Sequence, residues 1–308
     1  MGVDSTADVM GCSTAVVGDA AATDAVAADG EAAVGAARDP KGPVVAFFDV
    51  DGTLVYRTPE SGPGTKARPR VVEAVRAFAA AGGVPVLSTG RSMCGFDDVR
   101  NQMPFLGFVT MDGAHVRLGD TVVYDECFPH SLFTRIVEEM CRVNMSAFFQ
   151  GTEVCVQLSP DGRDPYKDAG VPLARNLEDM ARAKPDLRFG KIDFAGIDYN
   201  RYLQSEYLVR ELVYYDVADG CHELVMPGVS KGAGAQRLLA AITDAYGVAP
   251  SRVFAFGDSE NDISLLRVAD EAVAMGQAAQ NVKDAATYVT DTCGNDGVAT
   301  ALEHFGLR

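Results

Sequence analysis

Two carboxylates stand two residues apart in Asp49-Val50-Asp51-Gly52-Thr53. In a fully extended strand they would face opposite sides, but Gly52 and Thr53 favour a turn that brings both towards one pocket. One acid can then stay ionised while the other holds a proton, if their surroundings separate the two pKa values. A solvated Asp-Gly turn is the plainer alternative. A second acidic cluster reads Gly257-Asp258-Ser259-Glu260-Asn261-Asp262. Carboxylates converging from separate segments suit a hard cation such as Mg²⁺, whose octahedron water and phosphate oxygens complete; equally, Asp258 or Ser259 could cap the helix that follows. Lys231 opens a helical stretch after Val229-Ser230. The helix dipole disfavours a cation there unless an anion lies between the ammonium and the backbone N–H groups, and a solvated lysine is the other reading. Thr89 and Gly90 offer a hydroxyl and a backbone N–H to a phosphate oxygen, or make an ordinary turn. Together these groups describe a phosphoryl-transfer site, with a metal-held carboxylate nucleophile, a second carboxyl for proton transfer, and a lysine and hydroxyl facing the phosphoryl oxygens. The sequence has no G-x-x-x-x-G-K-[ST], HExxH or GxSxG motif, and His115, His130, His222 and His304 have no catalytic neighbour in sequence.

Elements able to position these residues are visible around them. Val44-Val45-Ala46-Phe47-Phe48 is continuously apolar, as expected of a strand buried on both faces of a parallel sheet, and it ends at Asp49. Val84–Leu87 runs into Ser88-Thr89-Gly90-Arg91, Gly107–Thr110 into Met111-Asp112-Gly113, and Val253–Phe256 into Gly257-Asp258. Helical patterns over Arg70–Ala81, Ala233–Tyr246 and Asp262–Val268 alternate with these strands, which predicts an α/β fold with functional residues at the carboxyl ends of its strands. From about Val116 to Met226 the texture changes. Strands are expected over Ser146–Leu158 and Glu206–Tyr215, and helices over Pro129–Arg142 and Val171–Ala183. A stretch of this size is enough for a separate α+β module inserted into the first.

The chain has 308 residues, 47 % hydrophobic and 23 % charged, with 27 Lys+Arg against 43 Asp+Glu for a net charge of −16. That balance argues against a surface built to grip nucleic acid, and no apolar run approaches the roughly 20 residues of a membrane span. Seven scattered cysteines without a CxxC pair are expected to be packed thiols in a reducing compartment. The first residues lack the basic patch and apolar stretch of a secretory leader, so a cytoplasmic location is expected. Residues 1–40 are alanine-rich and acidic, with Arg38 their single basic residue and no Phe, Tyr, Leu or Ile. They have little to bury and are expected to form a disordered tail whose protein partner, if it has one, is unknown. Gly2 and Thr6 meet the bare myristoylation pattern, but no polybasic stretch follows. Deleting residues 1–40 should leave catalysis and melting temperature unchanged; a large loss of thermal stability would show that the tail is packed.

The ordered set Asp49-Val50-Asp51-Gly52-Thr53, Thr89-Gly90-Arg91, Lys231 and Gly257-Asp258-Ser259-Glu260-Asn261-Asp262 resembles the four motifs of the haloacid dehalogenase superfamily. The long insertion between the second and third motifs, and Ala274-Met275-Gly276-Gln277-Ala278 with the stretch after it, are similar to subclass IIB, the Cof-type phosphatases. The resemblance covers about residues 43–308. It implies a Rossmann-like parallel-sheet core, residues 43–116 and 226–308, with an inserted α+β cap at 117–225. It also implies a nucleophile at Asp49 forming an aspartyl-phosphate and an acid/base at Asp51. Mg²⁺ would be held by the Asp49 carboxylate, the Asp51 backbone carbonyl and Asp258. Thr89, Gly90, Lys231 and Asn261 would hold the phosphoryl group, with Asp262 as a supporting acid. Asp51 argues against dehalogenase chemistry, since the superfamily's dehalogenases lack this second Asp. Asp112 and Gln277 stand where Asn is usual in Cof-type members.

The expectation is a Mg²⁺-dependent phosphatase acting on a small phosphorylated metabolite such as a sugar phosphate, with no nucleic-acid or membrane partner. A phosphomutase, or a non-catalytic sensor that kept the pocket, are the alternatives. The substrate is set by the cap, and Phe148, Phe149, Gln150 and Arg188 are cap residues whose place relative to the pocket the sequence does not give.

Overall fold

The computed structural model of the chain describes residues 42–56, 66–164, 170–217 and 220–308. The expected tail at 1–40, with Gly2 and Thr6, lies outside the described residues. In chain order the first elements are β1 (Val44–Phe48), α1 (Pro69–Ala80), β2 (Val84–Ser88), β3 (Gly107–Thr110), β4 (His115–Leu118) and β5 (Thr121–Asp125). Next come α2 (His130–Arg142), β6 (Ala147–Gln150), β7 (Val156–Leu158), β8 (Leu173–Ala174), α3 (Leu177–Ala183) and β9 (Lys191–Ala195). After these follow α4 (Glu206–Glu211), β10 (Val213–Asp216), β11 (Cys221–Val225) and α5 (Lys231–Tyr246). The last are β12 (Arg252–Gly257), β13 (Glu271–Ala274), β14 (Tyr288–Val289) and α6 (Gly297–His304).

Among the described residues the first sheet has eight strands in the order β14-β13-β12-β1-β2-β3-β4-β5. From β14 to β3 all neighbours are parallel, and β4 and β5 are added antiparallel. This is the expected α/β core. The unbroken apolarity of β1 has its reason here: Ala46 and Phe48 pack into the cluster containing Val71, Val75 and Phe78 of α1, whereas Val45 and Phe47 pack with Leu238 and Ile242 of α5. In α1 the buried Val71, Ala74, Val75 and Phe78 recur at helical spacing, and Pro69 stands in the first turn, where its missing N–H has no helical partner. Ser230 caps α5 by accepting a hydrogen bond from the Ala233 backbone N–H, and Gly247 ends it in the left-handed region.

A second sheet has the order β10-β11-β9-β6-β7-β8, antiparallel except where β7 meets β8. One of its faces packs on α2 and α3 through Phe133, Ile136, Met140 and Met180 against Phe149, Ile192 and Phe194. Met111 and Ala114 of the first unit join this same apolar cluster, so the two units share packing near the site. The boundary expected at residue 117 moves. β4 and β5 extend the first sheet, so we draw the second unit as beginning after Asp125. Antiparallel strands at the end of a parallel sheet need no helical crossover, and nothing in their local sequence separates them from an insertion.

Two secondary-structure expectations are also corrected. Glu206–Glu211 is a helix rather than strand, because the Ser205 hydroxyl accepts from the Leu208 N–H and caps it; the strand starts at Val213. Val171–Ala183 is helical only from Leu177, where the Asn176 side chain caps α3, and Leu173–Ala174 is a short strand. Cys127, Cys141 and Cys293 are free thiols, but Cys221 is disulfide-bonded, against the expectation of thiols throughout. Cysteine spacing along a chain does not report which sulfurs a fold brings within bonding distance. Among the described residues no helix is long and apolar enough to cross a membrane.

Candidate active site

The register of the first sheet assembles the site. Phe48 of β1 lies level with Phe256 of β12 and Leu87 of β2, so Asp49, Asp258 and Thr89 leave the sheet at one end, just past the ends of these strands. Past β1 the chain turns back on the Val50 carbonyl, which accepts the N–H groups of Thr53, Leu54 and Val55. Gly52 makes this turn possible at φ +82°, and a Cβ there would lie 2.1 Å from Asp258 Oδ2. Asp49 and Asp51 consequently line one cavity of about 70 Å³, with Thr89, Gly90, Arg91, Lys231, Ser259 and Asn261.

Lys231 is 2 % exposed and donates to Asp49 Oδ1 at 2.7 Å and to Asp262 Oδ1 at 2.6 Å. Asp262 uses its other oxygen to accept the backbone N–H groups of Asp258 (2.9 Å) and Ser259 (3.0 Å). Capping of the turn therefore falls to Ser259 and Asp262, which leaves the Asp258 carboxylate for the site. Burial disfavours charge on Lys231, but Asp262 and Asp49 outweigh it and hold its ammonium well above the usual lysine range. Burial pushes the Asp49 carboxyl well above its ordinary value against the pull of Lys231. Burial and then the Asp262 charge push Asp258 up to about 7.

Oxygens of Asp49, Asp258 and Asp262 lie within 4.8 Å of one another. Lys231 pairs with Asp49 and Asp262, and the negative charge left on the hard oxygen donors of this three-carboxylate group fits a divalent cation of the Mg²⁺ type. Asp262 is wholly buried and held by Lys231 and two backbone N–H groups, whereas Asp258 accepts longer bonds from the Ser259 (3.3 Å) and Gln277 (3.2 Å) side chains, so Asp49 and Asp258 are the carboxylates better placed to hold one.

The two oxygens of Asp51 accept from Arg91 Nε (2.7 Å) and Nη2 (2.5 Å), while Arg91 Nη1 donates to the Gly95 carbonyl. A bidentate guanidinium fixes the plane of the carboxylate it holds. Arg91 was legible within its motif but had no partner in the sequence. Thr89 Oγ1 accepts the Arg91 N–H, and its own N–H donates to the Val109 carbonyl. Gly90 passes so close to the second unit that a Cβ would lie 2.6 Å from Lys191 Nζ. Asn261 donates to Asp112 Oδ1 (3.1 Å) and Glu223 Oε2 (3.0 Å), which sets it between the two units. The positions noted as unusual also have partners. Asp112, buried in left-handed backbone at φ 53°, faces Lys191, and Gln277 donates to the Gly52 carbonyl and to Asp258 Oδ2.

The second unit supplies residues that sequence reasoning did not assign. Gln150 stands opposite Lys191, and Asp193 opposite Glu223, on three neighbouring strands; all four line the cavity. Their signal was the alternation in Lys191-Ile192-Asp193-Phe194, which in sequence reads as a strand with one solvated face. Phe149 instead packs in the second unit's core, and Arg188 pairs with Asp125 at 2.7 Å away from the cavity lining.

A family model for haloacid dehalogenase-like hydrolases matches residues 46–302. The chain is 27 % identical over 260 residues to a phosphoglycolate phosphatase of Methanoculleus marisnigri, covering 83 % of this chain and 94 % of that protein. It is 44 % identical over 80 residues to the 5-amino-6-(5-phospho-D-ribitylamino)uracil phosphatase YcsE of Bacillus subtilis, a match spanning 26 % of this chain and only 30 % of that protein. Among solved structures, BT1666 of Bacteroides thetaiotaomicron, described among phosphatases of this superfamily, superposes with a TM-score of 0.69 at 26 % identity over 88 % of this chain and 98 % of its own. The subclass IIB sugar phosphatase BT4131 shares the fold, with a TM-score of 0.70 at 24 % identity over 86 % of this chain and all of its own (100 %).

Proposed function

We propose the reaction from one premise, that the chain belongs to the haloacid dehalogenase-like hydrolase family. It is a phosphatase that hydrolyses a small phosphorylated metabolite, a sugar phosphate or similar ester, through an aspartyl-phosphate. The observation that carries this reading is the convergence of Asp49, Asp51, Lys231 and Asp258 at one end of the sheet, the first three of them in one cavity with Thr89 and Gly90.

Asp49 attacks phosphorus, and the bond from phosphorus to the leaving oxygen breaks while Asp51 gives that oxygen its proton. Asp51 then takes a proton from water. The water oxygen attacks the aspartyl-phosphate, its bond to Asp49 breaks, and inorganic phosphate leaves. Arg91 holds both oxygens of Asp51, so one of them must be released from the guanidinium for Asp51 to carry the proton in the two transfers. Lys231, Thr89 and Gly90 face the phosphoryl oxygens, while Asp262 holds Lys231 in place. Asn261, expected beside them, lines the same cavity but gives its Nδ2 hydrogens to Asp112 and Glu223, so we assign it no contact with the phosphoryl oxygens. Mg²⁺ on the Asp49 and Asp258 carboxylates and the Asp51 carbonyl would supply charge neutralisation to the phosphoryl oxygens and to Asp49 itself.

The test is phosphate release from a panel of sugar, polyol, nucleotide and cofactor phosphates, with Mg²⁺ and after chelation. Release is expected from a few related compounds, to fall below detection with chelator, and to return on adding Mg²⁺. Mg²⁺ should also raise the melting temperature of the wild type and not of Asp258→Asn. Indifference to the chelator would refute the metal assignment, and an isomeric phosphate in place of free phosphate would make the enzyme a phosphomutase.

A further inference from the structure

We propose that the cavity face formed by Gln150, Lys191, Asp193 and Glu223 selects substrates by charge, admitting a phosphate ester of an uncharged, hydroxyl-bearing alcohol and rejecting one that carries a second anionic group. As a statement about turnover this rests on the phosphatase reading above.

Among the described residues, each cation lining the cavity is already committed to carboxylate. Lys231 is held by Asp49 and Asp262, and Arg91 by Asp51. Lys191, 1 % exposed, sits 3.1 Å from both Asp112 and Asp193, is paired with Glu223, and donates to the Gly90 carbonyl at 2.8 Å. Burial works against its charge, yet Asp112, Asp193 and Glu223 raise its pKa and keep it an ammonium. At this face a second phosphate or a carboxylate would therefore meet a buried, already paired ammonium and its surrounding carboxyls. Specificity often comes from such an uncompensated charge set against the wrong ligand.

Hydrogen bonding points the same way. Asn261 Oδ1 is buried, belongs to a residue lining the cavity and has no hydrogen-bond partner, while Asp193 Oδ1, likewise buried at the cavity, has the Lys191 ammonium 3.1 Å away. Both are acceptors; the Asn261 amide is oriented by donating its Nδ2 to two carboxylates. An alcohol hydroxyl can donate to them, whereas an ionised carboxylate or phosphate only accepts. The two oxygens of Glu223 already accept from Lys191 and Asn261, and burial and then Asp112 raise its carboxyl well above the usual carboxylate range. A site whose buried polar groups are completed by a substrate hydroxyl discriminates strongly against analogues that leave them unpaired.

Two matched pairs separate charge from size: glycerol 3-phosphate against 3-phosphoglycerate, and glucitol 6-phosphate against 6-phosphogluconate. Within each pair one CH₂OH is replaced by a carboxylate. For the wild-type full chain, kcat/KM is expected to favour the alcohol by tenfold or more, and the preference should persist at high salt, which screens long-range repulsion by the acidic protein but not a buried contact. In Asp193→Asn/Glu223→Gln the alcohol should lose and the acid gain, narrowing the ratio at least threefold; loss of packing alone would lower both. Dissociation constants of the same four compounds on Asp49→Asn protein give the order without turnover, so the inference stays testable if that double variant does not fold. Equal or tighter binding of the acids would overturn it. Release of p-nitrophenol from p-nitrophenyl phosphate separately tests the phosphatase reading, and its absence would refute that reading while the binding order still decides the charge selection.

Discussion

Asp49→Asn should lower phosphate release by about 10⁴-fold or more, on the scale seen when a covalent nucleophile is removed. An amide has the shape of the carboxylate but not the charged oxygen that must bond to phosphorus. The fold should survive. Lys231 keeps Asp262 at 2.6 Å, and the substitution removes one of three carboxylates crowded within 4.8 Å of one another. The checks are kcat with the best compound of the panel, and the melting temperature in metal-free buffer, which is expected to stay close to wild type or rise. Turnover within tenfold of wild type would exclude Asp49 as the nucleophile. Asp51→Asn, tested in parallel, should fall less steeply with substrates whose leaving groups need no proton, because it is proposed only to move protons.

Lys231→Met should have the largest effect on stability. Its ammonium holds two carboxylates of which Asp262 is wholly buried, and removing it leaves both without their cation. Breaking one side of a buried ion pair costs roughly 3–5 kcal/mol, equivalent to a fall in melting temperature of roughly 6–20 °C for units of this size. The loss should depend on pH. Asp49 already has a raised pKa with Lys231 present, and losing that cation moves it further up. A carboxyl whose folded-state pKa lies above its unfolded value costs stability as pH rises through that interval, so the deficit should shrink from pH 8 towards pH 5. Adding Asp262→Asn to Lys231→Met should recover part of the lost stability without recovering activity, since it relieves the stranded charge but restores no cation to the phosphoryl site. A Lys231→Met protein as stable as wild type at pH 8 would refute the pairing. Activity should fall steeply in both variants, as Lys231 faces the phosphoryl oxygens in the proposed reaction.

Much of the site was legible because its determinants are local. A continuous apolar run such as Val44–Phe48 must be covered on both sides, and polar residues at its end must leave the sheet. Asp49, Asp258 and Thr89 were found by that rule together with their residue types, and Lys231 by its place at the start of a helix; the parallel register of β1 with β12 and β2 brings the three strand ends level. Whether Asp258 served as cap or site ligand was open in the sequence, and the geometry gives the cap to Ser259 and Asp262. In the inserted unit local rules failed more often. Glu206–Glu211 carries strand-forming residues, but Ser205 caps it as a helix, and β4 and β5 extend the first sheet although their sequence resembles the insertion.

The amino-acid sequence by itself determined the class of chemistry and the strand ends that carry it, because side-chain type, apolar periodicity and turn residues act over a few neighbouring positions. Only the tertiary structure decided which carboxylate each cation meets. Arg91 holds Asp51 from 40 residues away, Lys191 reaches the Gly90 carbonyl from 101, and Lys231 reaches Asp49 from 182. The Lys191–Asp193 face of β9, solvent-facing by its alternation, is buried because the other unit lies over it. Pairing and burial of charge depend on distances through space, and those are fixed by how the sheets and the two units pack rather than by spacing along the chain.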